Sequence, residues 1–206
     1  MQPLIIAGPP GGGMNHLRCL LGLAPGGEIR DLSGRRVADS DKEQFLLQVY
    51  YHSNRAYTGS AIHRGPERNV WRSGSYWLRM EWLTRDLYTE SRVQHDPLPP
   101  AGSVQCVPRA GHIDWVVGLY RAKCPDLNGH TVQRQQAFTG KFLTVQSDCH
   151  PVYLPDLYHR DWVDQSLAPL CDRLARSRPG MDSARRVHHR WCDLNDRLYT
   201  HSPAAI

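Results

Sequence analysis

The sequence predicts a three-layer α/β fold in which a small, mostly parallel sheet is flanked by helices. Short apolar strand candidates alternate with helical periodicities along the whole chain, and a glycine-rich turn joins the first strand to the first helix. No internal repeat, low-complexity tract or linker interrupts this order. Such alternation is typical of parallel sheets with helices on both faces. With 206 residues, the chain is expected to form a single domain over residues 1–206.

The composition is typical of a soluble globular protein. Apolar residues make up 40% of the chain and charged residues 22%, which argues against disorder. No apolar run approaches the roughly 18 residues that a membrane span needs, and the amino terminus lacks a secretory signal pattern. We therefore expect a cytoplasmic protein without a membrane partner. The net charge of +5 suits an anionic ligand and is also compatible with weak nucleic-acid affinity. Because the arginines are scattered along the chain, the charge alone does not identify the partner.

The six cysteines stand singly, without a C-x-x-C pair or another ligand pattern. Single cysteines in a cytosolic chain are usually reduced small hydrophobes, so we expect free thiols and no bound metal. His188 and Cys192 share a helix face one turn apart, a spacing that can hold a metal. Because no further ligand lies nearby in sequence, the favoured interpretation of this pair is a polar helix face.

The amino-terminal region carries the clearest functional signal. Leu4–Ala7 predicts a short buried strand, and the glycine- and proline-rich stretch Gly8–Gly13 follows it directly. An amphipathic helix is predicted next, with its apolar face formed by Leu17, Leu20 and Leu21. Backbone N–H groups of such a turn converge on a phosphate, and the positive end of the helix dipole favours its charge. The sequence therefore predicts a phosphate-binding loop at the carboxyl end of the first strand.

The predicted loop lacks the side chains of a nucleotide hydrolase. The pattern G-x-x-x-x-G-K-S/T supplies a lysine to the β- and γ-phosphates and a hydroxyl to Mg²⁺. When this pattern is aligned on Gly8 and Gly13, Met14 and Asn15 occupy those two positions. The loop is therefore suited to holding a phosphate through its backbone. The residues predicted to bind this anion are Gly8, Gly11, Gly12, Gly13, Met14 and Asn15.

This region resembles the sulfotransferases, whose donor is 3′-phosphoadenosine 5′-phosphosulfate and whose 5′-phosphate loop often reads G-x-P-R-S-G-T-T-x-x-R. The matching positions are Gly8, Pro10, Gly13 and Arg18, followed by Leu20 and Leu21. Where the family has a basic loop residue this chain has Gly11, and Met14 and Asn15 replace the family's hydroxyl residues. The resemblance is confined to the amino-terminal region. It implies a P-loop-like fold and a short sulfotransferase-like protein of the type that phages carry, with a degenerate loop.

The resemblance also implies roles for residues outside the loop. Arg18 would add positive charge near the 5′-phosphate. In the family, a strand leads to an arginine that binds the 3′-phosphate, and Arg109 follows the strand candidate Val104–Val107. The serine that the family carries further along is absent, since Val117 and Gly118 stand there. The catalytic base of the family is a histidine or a glutamate, and the candidates are His95 beside Asp96, then Glu81 and His52.

The remaining elements are predicted from periodicity. Apolar residues from Phe45 to Tyr50 fit a short helix, with a strand as the alternative. Residues 53–69 are predicted to form a long polar loop, and Trp71–Tyr88 a long helix that runs on toward residues 92–96. In this loop, the possible anion donors are Arg55, His63, Arg64 and Arg68. Ile113–Cys124 is a predicted helix, residues 125–140 a polar connection, and Phe142–Gln146 the third strand.

Two helices are predicted at the carboxyl end. The first has apolar residues from Val163 to Leu174 and either starts near Ser166 or kinks at Pro169. The last is capped by Asp182 or Ser183, and its apolar stripe consists of Val187, Trp191, Leu194 and Leu198.

The prediction that follows is an α/β protein that binds an anionic adenine nucleotide and transfers a sulfuryl group to an unidentified hydroxyl acceptor. Two other classes stay open. A nucleotide or small-molecule kinase would need the lysine and hydroxyl that the loop lacks. A non-enzymatic viral structural or interaction protein could keep the fold without the chemistry.

Overall fold

The computed structural model describes residues 4–29, 35–48, 63–64, 71–72, 91–123 and 131–200. Their centre is a four-stranded sheet, and all of its strands are parallel. The strand order is β4-β1-β5-β6, where β1 is Leu4–Ala7, β4 is Ser91–Gln94, β5 is Val104–Val107 and β6 is His150–Tyr153. The predicted α/β class with a small parallel sheet is confirmed.

The two central strands are the ones that the sequence predicts best. β1 and β5 occupy the predicted residues, and every residue of β5 is buried. A strand that pairs on both sides inside a parallel sheet has both faces covered, so its residues are mostly apolar. In β5 the exception is Gln105, which is buried at 0% exposure. Pro108 follows β5 directly and ends the strand because it has no N–H group to donate.

β4 corrects the prediction that the helix beginning at Trp71 runs on into residues 92–96. Leu4 of β1 is in register with Ser91, and Ala7 with Gln94. β4 is the outer strand of the sheet and pairs with one neighbour. It therefore buries little apolar surface, and Val93 is its one apolar residue. One apolar residue does not produce a strand signal in the sequence.

β6 corrects the prediction of a third strand at Phe142–Gln146 and of irregular chain around Pro151. The backbone of the predicted strand contacts a side chain, because Gln105 Nε2 donates to the Thr144 carbonyl and Gln105 Oε1 accepts from the Gln146 N–H, both at 2.9 Å. The strand forms at His150–Tyr153, where Pro151 is in register with Gln105. β6 ends the strand order, a position in which proline is tolerated.

The helices of the first half largely follow the prediction. α1 spans Met14–Gly22, and the expected turn over residues 24–27 follows it. α2 spans residues 42–48, so the short helix expected around Phe45 is confirmed as far as the described residues reach. α3 spans Ile113–Lys123 as expected, after a 3₁₀ turn at Ala110–His112.

Two segments predicted as loops contain regular structure. α4 spans Val132–Gly140, within the predicted polar connection. Its buried residues are Gln135 and Thr139, so no apolar stripe marks it, and its clearest sequence sign is the Thr131 cap, whose hydroxyl accepts from the Arg134 N–H. A separate antiparallel pair joins β2, His63–Arg64, to β3, Trp71–Arg72. The prediction of a loop is therefore wrong at His63–Arg64. The helix expected from Trp71 does not begin at that residue, which lies in β3, and residues 73–90 lie outside the described residues.

The carboxyl-terminal part is helical. After the short α5, Leu154–Leu157, a π-helix over Val163–Leu167 continues into α6, Ala168–Arg173. The alternative in which this helix starts near Ser166 is wrong. The wider winding precedes Pro169, which has no N–H for the helical ladder. α7 spans Met181–Thr200, so Asp182 and Ser183 lie in its first turn and do not cap it.

α7 completes the hydrophobic core. Val187, Trp191 and Leu194 are buried as predicted, and α7 packs against α1 and α3. His188 and Cys192 are also buried, at 0% and 2% exposure, so the expected polar face is wrong for this pair. The five described cysteines are free thiols, as predicted. No helix of the described ranges has the length and apolarity to cross a bilayer.

Candidate functional site

The strand order places a crevice at the carboxyl ends of β1 and β5. The chain leaves β1 toward β4 on one side and leaves β5 toward β6 on the other. In open α/β sheets, ligands bind where neighbouring connections diverge in this way. Gly8–Gly13 follows β1, His95 follows β4, and Arg109 follows β5 by two residues. Three groups predicted from separate parts of the sequence therefore lie at the carboxyl ends of the strands.

The carbonyl groups of the glycine-rich loop are held by partners around it. The Gly12 N–H donates to the Pro9 carbonyl at 3.0 Å, which closes a turn. His95 Nδ1 lies 2.9 Å from the Gly8 carbonyl, and the Tyr158 hydroxyl donates to the Gly11 carbonyl at 2.6 Å. Each of these carbonyls therefore has a donor, and its oxygen does not repel an anion in the crevice as an unsatisfied acceptor would.

The loop needs glycine for conformation and for space. Gly11 and Gly13 have φ angles of 84° and 70°, in the left-handed region that disfavours side chains. A Cβ on Gly11 would lie 3.0 Å from the Val116 carbonyl oxygen, and one on Gly13 would lie 3.1 Å from the ring of Trp191. α3 and α7 therefore pack directly against the loop and fix its course.

The loop ends at the amino terminus of α1. Gly13 is the residue before α1 and provides no side-chain cap. The first N–H groups of a helix have no partner within it, and the helix dipole makes this end positive. Met14 is buried at 4% exposure. The Oδ1 atom of Asn15 is buried and has no hydrogen-bond partner among the described residues.

His95 is fixed in one orientation by the loop itself. Because Nδ1 faces the Gly8 carbonyl, the proton of the neutral ring lies on Nδ1 and the lone pair lies on Nε2. This is the arrangement that a general base requires. The neighbouring Asp96 carboxylate accepts from the Leu98 N–H at 2.9 Å.

The two predicted arginines differ in their surroundings. Arg109 is half exposed, and its Nη2 lies 2.9 Å from both oxygens of Asp156, just after β6. Such an exposed ion pair contributes about 0–1 kcal/mol, so a bound anion could compete with Asp156 for Arg109. Arg18 lies in α1 and is buried at 2% exposure. The other candidate bases, Glu81 and His52, lie outside the described residues.

Sequence reasoning missed a buried aromatic cluster below the loop. His16 Nε2 lies 3.0 Å from His188 Nδ1, and His188 Nε2 lies 2.9 Å from the His159 carbonyl. His188 therefore donates from Nε2 and accepts at Nδ1. Trp191 stacks on His16 with ring centroids 4.0 Å apart. Burial is the main cause that lowers the pKa of His188, which favours the neutral form of this ring.

Two cavities flank α3 beside the loop. The first, which we call the His95 cavity, measures about 480 Å³ and lies among Pro10, His95, Tyr120 and α4. The second, the Tyr158 cavity, measures about 440 Å³ and is bounded by His112, Trp115, Tyr158 and Asn195. Both lie within the roughly 300–1,000 Å³ of small-molecule sites. The residues of the loop therefore border one cavity directly and the other through Tyr158.

No family model, curated protein or solved structure matches this chain. The site must therefore be interpreted from its own geometry. No group of three or more His, Cys, Asp or Glu in the described ranges could hold a metal ion.

The glycine-rich loop, a helix start and an imidazole lie close together in this arrangement. The loop leads into the amino terminus of α1, whose first N–H groups have no partner within the helix. The carbonyls of Gly8 and Gly11 have partners in His95 and Tyr158.

Proposed function

We propose that this chain is a sulfotransferase-like enzyme that binds 3′-phosphoadenosine 5′-phosphosulfate and transfers its sulfuryl group to a hydroxyl acceptor. The single observation that carries the proposal is the hydrogen bond of 2.9 Å between His95 and the Gly8 carbonyl. It joins a candidate base to a candidate phosphate loop, although the two are 87 positions apart in sequence. The resemblance of the loop to the sulfotransferases supports the choice of donor.

The chain's own groups would have separate tasks. The backbone of Gly8–Asn15 would bind the 5′-phosphate of the donor substrate, and Arg109 would meet its 3′-phosphate after exchanging Asp156 for it. The sulfur–oxygen bond to the 5′-phosphate breaks as one to the acceptor oxygen forms, and the acceptor's proton passes to His95 Nε2. Positioning and charge stabilisation dominate such transfers, and a base contributes roughly 10²–10⁴-fold.

Calorimetry tests the donor. We expect 3′-phosphoadenosine 5′-phosphate to bind more tightly than ADP, with or without Mg²⁺, because Arg109 can meet the additional 3′-phosphate. Tighter binding of ADP with Mg²⁺-dependent ATP turnover would favour the kinase class. Absence of binding by either nucleotide would refute the proposal and favour a non-enzymatic structural or interaction protein.

A variant of His95 tests the base. In His95→Asn, the amide nitrogen can still donate to the Gly8 carbonyl, whereas the lone pair of Nε2 is lost. We expect sulfuryl transfer to fall about 10²–10⁴-fold, with unchanged binding of 3′-phosphoadenosine 5′-phosphate. His150→Asn is the matched control, because His150 begins β6 at the opposite edge of the sheet. Equal transfer by His95→Asn and the wild type would remove His95 from the mechanism.

A further inference from the structure

The His95 cavity has mostly apolar walls. Val117, Tyr120 and Phe138 contribute apolar and aromatic surface, and no acidic residue is among the described residues that line the cavity. Aromatic walls favour a flat ring, which can stack or meet them edge to face. The volume of about 480 Å³ lies in the lower part of the range for ligand sites, so the occupant is small.

The cavity offers hydrogen-bond donors and positive charge. Arg134 lines it, is exposed, and forms no ion pair with a described carboxylate. Gln135 lines it as well and is 8% exposed; its Oε1 accepts from Arg121 at 3.2 Å, whereas its Nε2 has no partner in the described part of the chain. A buried donor without a partner costs about 1–3 kcal/mol. A ligand that brings an anionic acceptor group would relieve this cost and pair with Arg134.

His95 defines the other requirement. Its Nε2 carries the lone pair of the neutral ring, as argued above, and accepts a proton from the group beside it. A phenol has a pKa near 10, far below that of water at 15.7, which alcohols approach. Proton transfer to an imidazole is therefore much easier from a phenol than from an alcohol.

We propose that the His95 cavity binds a small phenol that carries a carboxylate, with its ring between Tyr120 and Phe138 and its carboxylate at Arg134. As the acceptor in sulfuryl transfer, this compound class rests on the proposed function; as a ligand of the cavity, it does not. In the transfer, the sulfur–oxygen bond to the 5′-phosphate would break as one to the phenolic oxygen forms, and the phenolic proton would pass to His95.

Calorimetry of the full chain without nucleotide tests the binding. The probes are para-hydroxybenzoate and its neutral analogue para-hydroxybenzamide, which share the phenol and the ring. We expect the wild type to bind the carboxylate about tenfold more tightly, the effect of one charge-assisted hydrogen bond. Arg134→Gln should bind both probes equally. Arg173→Gln is the matched control, because Arg173 is exposed on α6 and does not line the cavity.

Three outcomes would overturn the assignment: failure of the wild type to bind either probe, equal affinities in the wild type, or an unchanged preference in Arg134→Gln. A separate titration with 3′-phosphoadenosine 5′-phosphate separates this inference from the proposed function. If the nucleotide does not bind but the protein prefers the carboxylate probe and this preference depends on Arg134, the sulfotransferase proposal alone is refuted. Nucleotide binding without probe binding refutes the phenolic acid alone.

Discussion

Replacing Gly11 with alanine tests whether the glycine-rich loop is packed as the structure describes. The new Cβ would lie 3.0 Å from both the Val116 carbonyl oxygen and the Tyr120 Cβ, and 3.1 Å from the Tyr120 nitrogen. Two of these three atoms belong to the backbone of α3 and cannot rotate away. Gly26 provides the matched control: its φ of 77° is close to the 84° of Gly11, and a Cβ there would meet nothing within 4 Å.

The comparison separates backbone conformation from packing. In both variants, the left-handed conformation costs about 1–2 kcal/mol with alanine, and the lower entropy of the unfolded chain returns about 0.4–1 kcal/mol. Gly26→Ala should therefore lose about 1 kcal/mol of unfolding free energy. In Gly11→Ala, overpacking adds about 1–3 kcal/mol. The packing of the loop on α3 is thus measured by the difference between the two variants.

Urea denaturation at equilibrium measures this difference, provided that the slope with urea stays the same in all three proteins. We expect the midpoint to fall from wild type to Gly26→Ala and further to Gly11→Ala. Thermal melts should agree, since 1 kcal/mol corresponds to about 2–4 °C in a chain of this size. If Gly11→Ala were no less stable than Gly26→Ala, the loop would not rest on α3 and the crevice described above would be wrong.

Three further changes have definite expected outcomes. Ala175, two residues after the end of α6, has a φ of 50°, so Ala175→Gly should raise the unfolding free energy by about 1 kcal/mol in urea titrations; a loss of stability would contradict that conformation. Because burial lowers the pKa of His188 from 6.5, the unfolded chain binds more protons below that pH, and stability should fall as the pH drops. His188→Gln can still donate to the His159 carbonyl and should show a weaker fall in melting temperature; identical pH profiles would exclude His188 as the cause. Desolvation raises the pKa of Cys106 and Cys192 to about 12, so mass spectrometry should find iodoacetamide on them only after unfolding, and labelling of the native protein would contradict their burial.

The sequence predicts the strands and helices that bury mostly apolar side chains. β1 and β5 lie in the middle of the sheet, where both faces are covered; β1 is wholly apolar, and β5 is apolar except for Gln105. α7 is equally clear because its stripe meets the core on one side. In each case, the pattern of apolar residues directly reflects the surface that the element buries.

Elements that bury polar side chains, or little apolar surface, cannot be predicted from the apolar pattern. α4 turns Gln135 and Thr139 inward, and β4 needs little apolar surface at the end of the strand order. The error at Phe142–Gln146 has a specific cause: the amide of Gln105 hydrogen-bonds the backbone of a β-like sequence through its side chain. A side chain that takes the place of a strand partner leaves no periodic signal.

The candidate site divides in the same way. The loop could be predicted because strand, glycines and helix are consecutive in sequence. In the sequence, His95 is a candidate base because Asp96 is its neighbour. In the structure, the contact that ties His95 to the loop is the one with the Gly8 carbonyl. Tyr158, which binds the Gly11 carbonyl from 147 positions away, could not be found without the fold.

In the proposed function, the absence of a loop lysine gives the backbone a larger role in anion binding. A lysine would supply a whole charge close to the phosphate, whereas a helix start supplies about half an elementary charge. Partial charges of this size act on an anion only if the opposing carbonyl dipoles are directed elsewhere. In this loop the carbonyls of Gly8, Pro9 and Gly11 all have hydrogen-bond partners, which are His95, the Gly12 N–H and the Tyr158 hydroxyl. Binding by such a loop therefore depends on its rigidity, and loss of the contact from His95 or Tyr158 should weaken it even though neither residue need touch the phosphate.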